Sequence, residues 1–147
     1  MTEKMTPEKA DAMMDVGYHC SQVVFQHGAT QQGMDGDQAL VLAAGLGGGG
    51  FHGEMCGTVS GAILALSMKY GYSKENAEAE NDLMVEKIHE FEEKFIEAHG
   101  SLNCRDLLGY DMGKEDGPDN METDDTYSNC KFFCKTACDL VDELLKD

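Results

Sequence analysis

The six cysteines, Cys20, Cys56, Cys104, Cys130, Cys134 and Cys138, offer more chemistry than any other residues in this chain. As thiolates they attack disulfides or ligate soft metals, and as thiols they behave as small hydrophobes. No two are spaced as CxxC, so neither a thioredoxin-type pair nor the usual zinc-knuckle spacing is encoded locally, and there is no CxxCH for haem attachment. If the thiols cooperate, they meet through the fold. Cys56 is the most suggestive. It falls at the expected first turn of an apolar helix after a glycine-rich run, where unsatisfied N–H groups and the helix dipole favour a thiolate. His52 lies four residues earlier, within reach. The alternative is a small core residue at a tight helix entry.

The other cysteines read as follows. Cys20 follows His19 on an apolar stripe and is either reactive or a buried hydrophobe. Cys104 neighbours Arg105, the only arginine in the chain. That cation either stabilises a thiolate or pairs with Asp106 or the acidic residues downstream. Cys130, Cys134 and Cys138 step by four along one helix. Helical i,i+4 Cβ atoms lie roughly 5–6 Å apart whereas a disulfide wants about 3.8 Å, so bridges within that helix are not expected. Cys134 and Cys138 read as core positions. Cys130, at the helix start beside Lys131, has the better environment for a thiolate. His27, His89 and His99 read as solvated. The ten methionines read as core filler. The acidic stretch Glu115 to Asp125 lacks calcium-hand spacing, and the tetraglycine run lacks GxxxxGK[ST].

The elements that must hold these residues are helical. Thr6-Pro7 is a cap followed by proline, and Ala10, Met13, Gly17, Cys20 and Val24 recur at helical steps, predicting one helix that stops at Gly28. Asp35-Gly36-Asp37 caps a short second helix that runs into Gly47-Gly48-Gly49-Gly50, a loop of unusual backbone freedom. A third helix from about Gly53-Glu54 to Gly71 is apolar nearly all round and is expected to be the buried centre. On it Gly57, Gly61 and Ala65 make a smooth face, for an internal contact or a homodimer. Ser73 caps a long fourth helix to His99, with Ala77, Met84, Ile88, Phe91, Phe95 and Ala98 inward and Gly100 as its stop. A short turn spans Cys104 to Leu108. An acidic, glycine-containing loop follows from Asp111 to Asp125, and a last helix from about Ser128 to Leu145. With no alternating strand pattern, the expected fold is an all-α, single-domain bundle of about five helices over residues 1–147.

Charge narrows the function. Lysine and arginine total 11 against 28 acidic residues, a net charge of −17. That excludes phosphate-backbone binding and predicts no nucleic acid and no anionic membrane surface as partner. No apolar run approaches the ~18 residues of a spanning helix. Met1 to Asp11 is polar and reads as no secretory signal, so a cytoplasmic, reducing compartment is expected. There cysteines serve as metal ligands, catalytic groups or inert core.

The order Cys20, then Cys56-Gly57-Thr58-Val59-Ser60-Gly61, then Cys104, then Cys130 resembles the small redox-active protein family with the C…CGAxxG…C…C signature, the C_GCAxxG_C_C family. The segments Gly17 to Val24 and Asn103 to Asp111 are similar to its first and third cysteine regions. Thr58 stands where the family has alanine, and Cys134 and Cys138 fall at its ordinary helix positions. A similar segment occurs in split-Soret cytochromes, whose haem-attachment motif this chain lacks. The resemblance implies that Cys20, Cys56, Cys104 and Cys130 converge. Two chemistries follow. One is a thiol–disulfide oxidoreductase without a cofactor, with Cys56 attacking, Cys20, Cys104 or Cys130 resolving, His52 supporting, and a redox partner protein. The other is a four-cysteine metal site holding an iron–sulfur cluster or zinc. A third reading is a non-catalytic helical interaction protein whose cysteines are core.

Overall fold

A computed structural model describes residues 3–108 and 129–146. The expected acidic loop from Asp111 to Asp125, and the proposed helix start at Ser128, lie outside the described residues. Those residues form seven α-helices and no strand: α1 Pro7–Asp15, α2 Cys20–Gln31, α3 Gly36–Ala43, α4 Gly57–Tyr70, α5 Glu78–His99, α6 Cys104–Leu108 and α7 Cys130–Leu145. None is long and apolar enough to cross a membrane.

The first expected helix is two. Thr6 caps α1 as its Oγ1 accepts from the Lys9 N–H at 3.1 Å, and Pro7 follows. The helix ends at Asp15 because Gly17 adopts φ +111°, a conformation glycine takes at little cost, and the Gly17 and Tyr18 N–H groups fold back on the Met14 and Met13 carbonyls. The apolar period runs through this break because both helices face one core. Gly28 does not end α2. The helix continues to Gln31, with Gly33 at φ +95° beyond it. Gly28 is there for clearance: a Cβ on it would lie 2.5 Å from the Ala65 Cβ on α4.

Two helices share the centre rather than one. α2 and α4 pack against each other along the Gly57, Gly61, Ala65 face, so that face makes an internal contact. A Cβ on Gly61 would sit 2.7 Å from the Ser21 carbonyl oxygen. Around this pair lie α3, α5 and α7. From α7, Cys134, Ala137, Cys138, Val141 and Leu144 point into the core, and from α5 come Phe91 and Phe95, all fully buried. Asn76 at φ +57° precedes α5, which therefore starts at Glu78 rather than near Ser73, and Ala98 is exposed.

Two histidines are not solvated as the sequence suggests. His27 is buried, with its Nε2 2.8 Å from the Asp142 Oδ1, an oxygen that also accepts from Gln31 Nε2 at 2.7 Å. His99 is half-buried, 2.8 Å from the Thr136 hydroxyl and packed edge-on against Phe133.

Candidate functional site

Each of the four family-pattern cysteines stands at the start of a helix. Cys20 opens α2, Cys56 is the residue capping α4, Cys104 opens α6 and Cys130 opens α7. All four line one cavity of about 460 Å³. The N-termini of four helices, with their partial positive charge, therefore converge on it.

Local hydrogen bonding fixes each start. At α2, the His19 N–H donates to Gln22 Oε1 at 2.8 Å, the Ser21 hydroxyl to the Ala43 carbonyl at 2.7 Å, and Gln22 Nε2 to the Leu40 carbonyl at 2.9 Å. The last two pin the Cys20 turn to α3. Before α4, Gly48, Gly49, Gly50 and Phe51 take φ values of 59°, 65°, 70° and 63°, so the glycine run is a left-handed turn rather than an open loop. The chain emerging from it pairs with residues before α6. Cys56 N–H donates to the Leu102 carbonyl at 2.7 Å, and Cys104 N–H to the Glu54 carbonyl at 2.6 Å, bracketing an antiparallel bridge between Met55 and Asn103. This bridge is what carries Cys104 to Cys56.

Cys56 and Cys20 lie side by side on the cavity wall, next to Gly57. The Cys20 thiol hydrogen-bonds the Cys56 sulfur, which is the main reason the Cys56 pKa falls from 9.0 to about 7. Burial opposes this shift. The Thr58 side chain and the N–H groups of Thr58 and Val59 at the α4 N-terminus add to it. The Thr58 Oγ1 lies 3.1 Å from the Cys56 sulfur. The same contact, with burial, drives Cys20 well above its ordinary value. One sulfur of the pair is thus set as thiolate and the other as thiol. Gly57 allows the approach, since a Cβ there would fall 2.6 Å from the Cys20 sulfur.

Cys130 is not the favourable thiolate position that its neighbour Lys131 suggests. Burial, and then the charges of Cys56 and Cys104, push it up to about 12. Lys131 instead sits over the Phe132 ring and 4.0 Å from Asp11. Cys134 and Cys138 lie fully buried in the core, their thiols raised chiefly by desolvation.

The supporting residues divide. Gly57 lies under the Cys20 sulfur, while Gly61 serves the α2–α4 contact. His52 is solvent-exposed and does not line the cavity, whereas His19 does. Arg105 is exposed and pairs with Glu54 at 3.1 Å, while Asp106 takes the Ser101 hydroxyl. Sequence reasoning missed Thr58 as a partner of Cys56, although its place two residues into a helix start was the available signal. It also missed Asp11, Asp15, Tyr18 and Phe133 on the cavity wall. No local pattern marks those four.

The arrangement can carry out nucleophilic thiol chemistry as it stands. Among the described residues, no three histidine, cysteine, aspartate or glutamate side chains gather closely enough to hold an ion.

Comparison with known proteins agrees with the cysteine pattern. Residues 18–144 match the family model described as "Putative redox-active protein (C_GCAxxG_C_C)". No match is found among curated proteins or among solved structures. The matched span takes in all four helix-start cysteines and most of the chain, so the protein belongs to the C_GCAxxG_C_C family.

Proposed function

We propose that this protein performs thiol–disulfide exchange, with Cys56 as the attacking thiolate and Cys20 as the resolving thiol. The observation that carries the reading is the asymmetric Cys20–Cys56 contact, in which one sulfur is acidic at neutral pH and its neighbour holds a proton. Cys56 attacks one sulfur of a disulfide RS–SR. The Cys56–SR bond forms, the S–S bond breaks, and RS⁻ leaves and takes up a proton. Cys20 then loses its proton and attacks the Cys56 sulfur, closing Cys20–Cys56 and releasing the second RSH. Two electrons pass from the thiolate–thiol pair to the disulfide, with one of the two protons supplied by Cys20 and the other by solvent.

The coupling between the two sulfurs times these steps. Cys20 is held protonated mainly by its bond to the Cys56 sulfur, and the Cys56 charge adds to this. Once Cys56 is capped as a mixed disulfide, its charge is gone and that restraint weakens. Cys20 thus becomes more acidic when it has to attack.

The test is a trapping series on the reduced protein with one equivalent of an uncharged disulfide. The wild type should lose two thiols and yield a Cys20–Cys56 bridged peptide by mass spectrometry. Cys20→Ser should stop at the adduct on Cys56, and Cys56→Ser should form no rapid adduct. An adduct that resolves through Cys104 or Cys130 would overturn the role given to Cys20. Protein isolated without oxygen that carries stoichiometric iron or zinc on these thiols would overturn exchange in favour of a metal site.

A further inference from the structure

The cavity over the four thiols is walled mainly by apolar and aromatic groups, among them Met14, Tyr18, Leu107 and Phe133, with two carboxylates, Asp11 and Asp15, contributed by α1. Among the described residues no lysine or arginine lines it. Arg105, next to Cys104 in the chain, is paired with Glu54 at 3.1 Å, and Lys131, next to Cys130, lies 4.0 Å from Asp11 and offsets part of that one cavity charge. No cation pairs with Asp15 among the described residues. The helix N-termini act at close range on the sulfurs they hold, whereas Asp11 and Asp15 carry full charges on the accessible part of the wall, so a charged reagent approaching the cavity meets a net negative field there, which raises the local concentration of cations and lowers that of anions.

We infer that this cavity takes cationic or uncharged low-molecular-weight disulfides as its oxidising substrates and rejects anionic ones. The inference rests on the exchange reading and assigns its substrate class. The covalent step is the one written above, with RS–SR as the oxidant and two RSH as the products.

Three disulfides of similar size test it: cystamine, bis(2-hydroxyethyl) disulfide and 3,3′-dithiodipropionate. Each rate of loss of the free Cys56 thiol at pH 8 is divided by the rate with 2-mercaptoethanol thiolate, so that the intrinsic reactivities of the disulfides cancel. At low ionic strength the normalised rate should be about 10-fold higher for cystamine than for the dicarboxylate, with the uncharged disulfide between them. The ratio should shrink several-fold at ~0.5 M salt, where screening acts over only a few ångströms. Asp11→Asn with Asp15→Asn should narrow the low-salt ratio, and the salt series on the wild type gives the answer if that variant does not fold. Equal normalised rates for all three reagents would overturn the charge preference while leaving exchange intact. So would a preference that neither salt nor the double substitution alters. Failure of Cys56 to react with any of the three would overturn the exchange reading itself, and this inference with it.

Discussion

Removing the Thr58 hydroxyl should shift the Cys56 titration by an amount that can be worked from its surroundings. Thr58 Oγ1 stands 3.1 Å from the sulfur and donates to it when Cys56 is ionised. Hydrogen bonds to charged groups contribute about 1.5–3 kcal/mol, and the lower end applies here because Cys20 and two backbone N–H groups remain. At about 1.36 kcal/mol per pH unit, Thr58→Ala should raise the Cys56 pKa by about one unit, from about 7 to about 8. The thiolate fraction at pH 7 then falls from about one half to about one tenth, while each thiolate becomes about 3-fold more nucleophilic for a Brønsted coefficient near 0.5. The exchange rate with bis(2-hydroxyethyl) disulfide should therefore drop about twofold at pH 7 and rise about 3-fold above pH 9, so the two pH profiles cross. Thr58→Ser keeps the hydroxyl and should follow the wild type. The assay is the rate of loss of the free Cys56 thiol between pH 5 and 10, read by alkylation and mass spectrometry of the Cys56 peptide. A Thr58→Ala midpoint equal to that of the wild type would refute the assignment of this hydroxyl as a thiolate donor.

Two further outcomes concern stability. Cys134 and Cys138 have folded pKa values well above 9.0, so above pH 9 the unfolded chain loses protons that the native state keeps. Stability under reducing conditions should fall there by about 1.4 kcal/mol per pH unit for each such thiol. Cys56, lowered to about 7, acts with the opposite sign: its contribution is present above pH 9 and is lost as pH falls through 7. Urea midpoints measured from pH 6 to 10.5 should therefore rise from pH 7 and peak just below about 9, and a midpoint still rising at pH 10 would contradict the burial of these thiols. Gly28→Ala places a methyl group 2.5 Å from the Ala65 Cβ and 3.1 Å from Val141 Cγ1, and should cost about 1–3 kcal/mol through separation of α2 and α4. Gly45→Ala, which meets nothing within 4 Å, should be neutral or slightly stabilising in the same urea titration.

What the sequence revealed depended on range. Helix stops at Gly71 and Gly100, the Asp35 cap and the Thr6-Pro7 start are signals within a few residues, and they appear at those positions. The break at Gly17 was hidden because that glycine falls on the apolar period of Ala10, Met13, Cys20 and Val24. Gly28 resembles a stop only because nothing local reports that another helix passes within a methyl group of it. His27 looks solvated until Asp142, 115 residues later, supplies its partner. The candidate site follows the same rule. Cys56, Cys104 and Cys130 could be flagged from their helix starts, Cys20 read as lying within the first helix, and family resemblance selected these four of the six. The bridge between Met55 and Asn103, which brings Cys104 alongside Cys56, leaves no trace in spacing. Nor does the Cys20–Cys56 contact, because it depends on two helices meeting over Gly57.

Cys134 and Cys138 give the protein a built-in clock. Neither has any surface in the folded state, and both belong to the central core, so a thiol reagent reaches them only when the core around α7 opens. Cys20 and Cys56 face a cavity that a small reagent can enter with the core closed. One labelling time course should therefore resolve into two phases. The fast one measures chemistry at the cavity, and the slow one measures how often that core comes apart.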